Sequence, residues 1–273
     1  MTVTVVAELG VNHNGDLGTA LQMVDAAAEA GCDAVKVQAY RCEDFLPRDH
    51  PDWDTFRKSQ LHWTQILRIS SEARKHGLKF GATPTNEWGI RVLELAGVDF
   101  LKNGSDFLLR HDIIEAMGRT GIPTVLGTGM AELDEVRAAI RAFRKGGGSQ
   151  LTCLVCTSSY PCPDAETNLL RLANPTWTLY DTQVGFSDHT KGNVAATAAV
   201  ALGATMIEKH FTLDKTQPGP DHWFSADPGE MAWLVHDVRR VERMLGSSAI
   251  EPTAGEFMNR DLWRVTQGTL RTA

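Results

Sequence analysis

Two histidines carry the clearest chemical signal in this 273-residue chain: His189 in GFSDHT (185 to 190) and His210 in IEKHFT (207 to 212). Each closes a strand-like run, and one helix-sized stretch separates them. If the two strands are neighbours in a parallel sheet, about 4.8 Å apart, both imidazoles can reach one ion. Two protein imidazoles leave coordination positions open, which suits an ion that also holds water and substrate oxygens rather than a closed structural site. The competing reading is a pair of histidines that only hydrogen-bond to their neighbours.

Holding such a pair requires strands, and the chain supplies them in a regular rhythm. Apolar runs at 3 to 9, 33 to 38, 78 to 83, 98 to 104, 123 to 128, 151 to 157, 182 to 187 and 205 to 210 alternate with helix-like stretches such as LGTALQMVDAAAEAG and AELDEVRAAIRAFRKGG. Many of the helical stretches close on glycine: Gly31, Gly77, Gly97, Gly121, Gly146 and Gly203. Eight β-then-α units of this length predict an α/β protein with a (β/α)8 TIM barrel. GVNHNGDLG after the first strand does not fit the G-x-G-x-x-G fingerprint of an open dinucleotide-binding sheet.

In such a barrel the C-terminal ends of the strands converge on one mouth, so polar residues there call for a reason beyond packing. Strand one ends in Glu8, with Asn12, His13 and Asn14 beyond it, and strand two carries Lys36 and Gln38. Thr83 closes strand three, and Lys102 and Ser105 lie on and after strand four. Strand six leads to Cys156, Thr157, Ser158 and Tyr160, strand seven to Ser187, Asp188 and His189, and strand eight to Glu208, Lys209 and His210. Strand parity puts Lys36 with Gln38, Ser187 with His189, and Glu208 with His210 on shared faces, and turns Lys209 toward the helices.

A buried ammonium is costly without an anion, so Lys36 and Lys102, beside hydroxyls from Thr83, Ser105, Ser158 and Ser187, suggest a pocket for a phosphate plus a carboxylate. The alternative is that each lysine pairs with a barrel glutamate such as Glu8. Asp221 lies in QPGPDHWFS, a loop stiffened at Pro218 and Pro220, and either faces sugar hydroxyls or caps a turn.

Composition narrows the class. The chain carries 27 Lys and Arg against 34 Asp and Glu, a net charge of -7, without a basic cluster to track a phosphate backbone, so nucleic acid is not expected. The longest mostly apolar run, Val194 to Ile207, falls short of the roughly 20 residues that span a bilayer. The N-terminus lacks a signal-peptide pattern, and a cytoplasmic protein is expected. The five cysteines, Cys32, Cys42, Cys153, Cys156 and Cys162, form no disulfide pattern. Cys153 and Cys156 spell C-x-x-C, but three residues along a strand face opposite ways, which argues against a shared zinc. Residues 41 to 60 form an acidic, aromatic insertion at the mouth that could act as a lid. The tail from Ser247 shows little helical pattern and ends in QGTLRTA, which reads as a linker.

The segments AELGVNHNGDLGTALQMVDAAAEAGCDAVKVQ, LKNGS, GTGM, CTSSYP, GFSDHT, GATMIEKHFTLDK and PGPDH, with Thr83 and Pro84, resemble the sialic acid synthase family across nearly the whole barrel. The resemblance implies condensation of phosphoenolpyruvate with a sugar aldehyde to a 3-deoxy 2-keto sugar acid plus phosphate. It implies a divalent ion on His189 and His210, of the manganese type with magnesium or cobalt as alternatives. It also implies phosphoenolpyruvate on Lys36, Thr83, Lys102, Ser105, Ser158 and Ser187, and Glu8 and Asp221 facing the sugar; Gln38 and Tyr160, from the strand ends, are expected among the substrate-binding residues as well.

Family members are homodimers whose C-terminal antifreeze-like domain reaches the partner's site. Here a barrel over 1 to 246 and a tail over 247 to 273 are expected, without that domain. Phe107 stands where the family commonly has a sugar-contacting glutamate, Val155 where it often has histidine, and Gly127 where it often has serine. The acceptor is therefore expected to differ from N-acetylmannosamine. A metal-dependent hydrolase or aldolase, or a non-catalytic relic or subunit of a larger synthase, are the competing readings.

Overall fold

The computed structural model describes residues 2–266 and 269–270. Eight strands, β1 (Thr4–Gly10), β2 (Ala34–Ala39), β3 (Lys79–Pro84), β4 (Phe100–Asn103), β5 (Thr124–Gly127), β6 (Leu151–Val155), β7 (Gln183–Asp188) and β8 (Met206–His210), close into one parallel barrel in sequence order. The helices are α1 (Leu17–Glu29), α2 (Trp53–Ser59), α3 (Trp63–Lys75), α4 (Glu87–Ala96), α5 (His111–Thr120), α6 (Leu133–Lys145), α7 (Thr176–Leu179), α8 (Val194–Ala201), α9 (Pro228–Leu245) and α10 (Phe257–Trp263). The expected (β/α)8 TIM barrel is the fold observed.

Local chemistry sets the ends of these helices. The Asp16 carboxylate accepts from Thr19 N at 2.6 Å and starts α1. Gly97 and Gly121 end α4 and α5 with φ of 65° and 71°, a region where a Cβ is disfavoured. At α6 the expectation is off by one residue: Gly146 stays right-handed and Gly147, with φ 92°, makes the turn.

The barrel interior is built in steps of two residues. Its lower layer is apolar: Val6, Ala34, Phe100, Val125 and Leu154, with Met206 against them, form a cluster separate from the larger core between strands and helices. Gly81 and Gly185 leave room for that layer, since a Cβ at Gly81 would lie 2.1 Å from the Phe100 ring and one at Gly185 2.6 Å from a Leu154 methyl. Two residues further along each strand, the same inward face carries Glu8, Lys36, Thr83, Lys102, Ser187 and Glu208. The apolar layer is the floor of the site, and the polar layer is its contents.

The opposite parity faces the helices. Lys209 pairs there with Asp188 at 2.6 Å and donates to the Thr190 carbonyl, as its parity requires. Asp188 thus lies outside the mouth.

Residues 1–243 make one compact unit and residues 244–273 a second. In the second, the sparse periodicity misses α10 and a two-stranded ladder, Val265–Thr266 with Thr269–Leu270. Of the terminal QGTLRTA stretch, only residues 269–270 fall among the described ones. No described helix is long and apolar enough to cross a membrane.

Candidate active site

A cavity of about 390 Å3 opens at the C-terminal ends of the strands, and every site residue expected from the sequence lines it: Glu8, Lys36, Gln38, Thr83, Lys102, Ser105, Ser158, Tyr160, Ser187, His189, His210 and Asp221. Its charged centre is two ion pairs. Lys36 Nζ meets Glu8 Oε2 at 2.5 Å and donates to Thr83 Oγ1 at 3.1 Å. Lys102 pairs with Glu208, which also accepts from Ser187 Oγ at 2.9 Å. Both lysines are therefore paired with glutamates, the alternative that the sequence left open, and Glu208 joins the site as the second counterion.

The two carboxylates respond differently to burial. Burial raises Glu8 to about 7, against the pull of Lys36. Burial acts on Glu208 too, but the Lys102 and Lys36 ammoniums and the hydrogen bonds from Lys102 and Ser187 outweigh it and leave the carboxyl at about 2. Near neutrality, then, Glu8 exchanges a proton readily while Glu208 stays ionised. Burial also lifts Asp221 to about 6.

The imidazoles close the ends of β7 and β8, with ring centroids 5.6 Å apart. His189 Nδ1 lies 2.7 Å from the Thr157 carbonyl. A carbonyl only accepts, so the proton is on Nδ1 and the Nε2 lone pair is free, 3.3 Å from Ser187 Oγ. Nδ1 of His210 is buried without a hydrogen-bond partner among the described residues; the nearest carboxylate oxygen, on Asp221, is 3.5 Å away. Burial lowers both rings, well below the ordinary range in His210 where His189 adds to it. Neutral imidazoles, one oriented by a backbone carbonyl and one with an unpartnered buried nitrogen, fit a divalent ion.

The pair belongs to no tight group of three possible ligands. Among the described residues the only such group is Asp25, Glu72 and His76, on the outer face of α1 and α3. There His76 is hydrogen-bonded to Asp25 at 2.8 Å and Glu72 to Lys75 at 2.7 Å, an ordinary solvated charge cluster.

Glycine makes room for the hydroxyl side. A Cβ on Gly129 would lie 2.3 Å from Ser158 Oγ, 2.9 Å from Ser105 Oγ and 3.1 Å from Cys156 Sγ. Ser105 Oγ accepts from Gly129 N at 3.0 Å, while Ser158 Oγ is buried without a partner among the described residues. Cys156 faces the cavity and Cys153 the outer core, so the C-x-x-C pair does divide between two faces.

Asn12, His13 and Asn14 do not line the cavity; Asn12 and Asn14 fasten the loop that carries Asp221, while His13 Nδ1 accepts from Gly15 N at 3.0 Å. Asn12 Nδ2 donates to the Phe211 carbonyl and to Ser225 Oγ, both at 2.9 Å. Asn14 Nδ2 approaches His222 Nε2 at 3.3 Å, and His222 Nδ1 meets Thr212 Oγ1 at 2.7 Å. The inserted segment 41 to 60 turns Phe45 and Phe56 into the mouth, beside Tyr40, Phe107 and Met130. Phe45, Phe56 and Met130 are beyond sequence reasoning: the insertion has no period to tell which aromatics turn inward, and Met130 enters through a left-handed backbone with φ 64°.

The sequence model of the NeuB family matches residues 23–249. N,N'-diacetyllegionaminic acid synthase of Legionella pneumophila is 36% identical over 285 residues, covering 97% of this chain and 79% of that one. N-acetylneuraminate-9-phosphate synthase of Homo sapiens is 34% identical over 256 residues, covering 89% and 71%. The crystal structure of N-acetylneuraminic acid (sialic acid) synthetase from Leptospira borgpetersenii superposes with a TM-score of 0.90 at 34% identity, covering 95% of this chain and 90% of that one.

Proposed function

Because the chain belongs to the NeuB family of sialic acid synthase-like enzymes, we propose that it condenses phosphoenolpyruvate with a sugar aldehyde to a 3-deoxy 2-keto sugar acid and phosphate. One observation carries the reading: a single cavity holds two buried ammonium groups, each with a glutamate, together with two neutral imidazoles. That is a charge pattern for an anion held beside an activated electrophile.

In the reaction, C3 of the enolpyruvate forms the new bond to the aldehyde carbon, water adds at the resulting cationic C2, and phosphate leaves from C2. Lys36 and Lys102, with Thr83, Ser105, Ser158 and Ser187, take the phosphate and carboxylate. The incoming anions take over from Glu8 and Glu208 as counterions, and the two ammonium groups balance the charge that builds on the leaving phosphate. Glu8, raised by burial to about 7, is suited to move a proton at the reacting oxygens. His189 and His210 are the groups that would hold a divalent ion, manganese with magnesium or cobalt as alternatives. When bound, the ion supplies Lewis-acid polarisation of the aldehyde oxygen. Asp221, Gln38 and Tyr160 face the sugar.

Residues 1 to 246 act as the catalytic barrel on this reading, in a cytoplasmic homodimer as the family resemblance implies. The test is acceptor-dependent phosphate release from phosphoenolpyruvate with Mn2+ across a panel of aldoses and amino sugars, the product identified by mass spectrometry. No acceptor-dependent phosphate from any member of the panel would refute it. A hydrolase or aldolase would turn over without phosphoenolpyruvate.

A further inference from the structure

A further buried ion pair lies on the helix side of the barrel wall, behind the two imidazoles, and the condensation chemistry gives it no task. Lys209 Nζ meets Asp188 Oδ2 at 2.6 Å and donates to the Thr190 carbonyl at 2.8 Å. The other carboxylate oxygen of Asp188 accepts from Thr190 N at 2.8 Å and from Thr190 Oγ1 at 2.7 Å. All three residues are withdrawn from solvent, and none lines the cavity. Desolvation offsets most of what the attraction of two buried charges returns, so an apolar pair of similar volume would hold the wall about as well. What an apolar pair lacks is direction.

Direction matters at this point of the fold. The β7–β8 ladder ends where Asp188 pairs with Lys209, so His189 and His210 each lie one residue beyond it. Each histidine backbone is held from its far side: the His189 carbonyl accepts from Cys162 N and the His210 carbonyl from Ala226 N, both at 2.8 Å. Between the two strand ends, Lys209 supplies the tie beyond the ladder. Asp188 and Thr190 flank His189 in sequence and Lys209 precedes His210, so one ammonium group joins both neighbours of the first imidazole to the strand that carries the second. Two nitrogens bound to one ion at about 2.1 Å lie only about 3 Å apart, so a small slip between the strand ends takes one of them out of reach.

We propose that Lys209, Asp188 and Thr190 are positioning residues that set the distance between the two imidazoles and, through it, the affinity for the divalent ion. The proposal rests on the reading that His189 and His210 hold that ion. The three residues act on it through the backbone, without touching ion or substrate.

The test is Asp188→Asn combined with Lys209→Met, which cuts the tie, strands no charge and keeps an acceptor for Thr190. Mn2+ binding is followed by electron paramagnetic resonance, and inorganic phosphate binding to the metal-free protein by calorimetry, both well below the melting transition. The double variant should bind Mn2+ about 10- to 100-fold more weakly, the usual effect of losing a group that orients a metal ligand, and the spectrum of the bound ion should change. Phosphate affinity should stay within about 3-fold of wild type, because Lys36 and Lys102 are untouched. Lys209→Gln, uncharged and one bond shorter, is expected to show the same selective loss and decides the matter if the double variant does not fold. Mn2+ affinity within about 3-fold of wild type in a folded variant, or equal losses for Mn2+ and phosphate, overturns the proposal. The first result leaves the pair merely structural, and the second means a barrel mouth loosened throughout. A wild type that binds no Mn2+ sinks the metal reading and this proposal together, whereas Mn2+ binding without phosphate release from phosphoenolpyruvate sinks the condensation reading alone.

Discussion

Replacing Glu208 with Gln tests the electrostatic design of the cavity directly. The substitution keeps an acceptor oxygen for Ser187 Oγ, now 2.9 Å from the carboxylate, but removes the charge that pairs with Lys102, a side chain almost wholly withdrawn from solvent. Removing one partner of a buried pair costs about 3–5 kcal/mol, because it strands the other charge. The retained oxygen argues for the lower end, about 3 kcal/mol. At 2–4 °C per kcal/mol for a protein of this size, the melting temperature should fall by about 6–12 °C.

The cavity's proposed task adds a second expectation. Inorganic phosphate or phosphoenolpyruvate brings the missing negative charge, so either anion should stabilise Glu208→Gln more than the wild type. Lys102→Met combined with Glu208→Leu, which removes both charges, should recover most of the lost stability. Differential scanning calorimetry with and without phosphate reads all three proteins. A melting temperature within about 2 °C of wild type for the single variant, or a phosphate effect no larger than in wild type, would refute the reasoning.

Glu8 keeps its proton in the folded protein up to about 7, where an unperturbed carboxyl loses it at 4.5. It therefore favours folding below 4.5, and that contribution is lost as pH rises through 7, so the stability of wild type relative to Glu8→Gln should decline across that window in denaturant titrations. The inflection near 7 in the turnover profile should vanish in the same variant. His210→Ala should weaken Mn2+ binding, read by calorimetry or by electron paramagnetic resonance of free Mn2+, by at least about 10-fold. Gly129→Ala forces a methyl to within 2.3 Å of Ser158 Oγ and 2.9 Å of Ser105 Oγ; it should raise the KM for phosphoenolpyruvate about 10-fold or more, with a smaller effect on Mn2+ affinity.

Strand parity made most of the cavity legible in advance. A period of two, applied to DAVKVQ, TQVGFS and TMIEKH, puts Lys36, Ser187 and Glu208 on the inward face, because each strand passes from apolar floor to polar contents in one step of two residues. What parity cannot give is the partner of a side chain from a distant strand. The two lysines were consistent with bound anions or with glutamates, and only barrel closure brings Glu208 to Lys102. Asn12 and Asn14 show the same limit, since their partners near Phe211 and His222 follow some two hundred residues later. Helix α10, at Phe257–Trp263, is too short for periodicity to register within two turns.

The seam between β1 and β8, paired from Thr4 with Met206 to Glu8 with His210, joins the strands most distant in sequence. Contacts of such separation carry the largest loop-closure entropy and tend to form late in folding. Glu8 lies on that seam, with Lys36 in register on one side and His210 on the other. A chain whose ring has not closed therefore has no anion pocket to offer, however well its individual β-α units have formed. Ligand affinity and ring closure are thermodynamically linked: a ligand bound only by the closed ring lowers the population of open-seam forms by the factor 1 + [L]/Kd. Amide hydrogen exchange along β1 and β8 would report that linkage, slowing as phosphoenolpyruvate saturates the site.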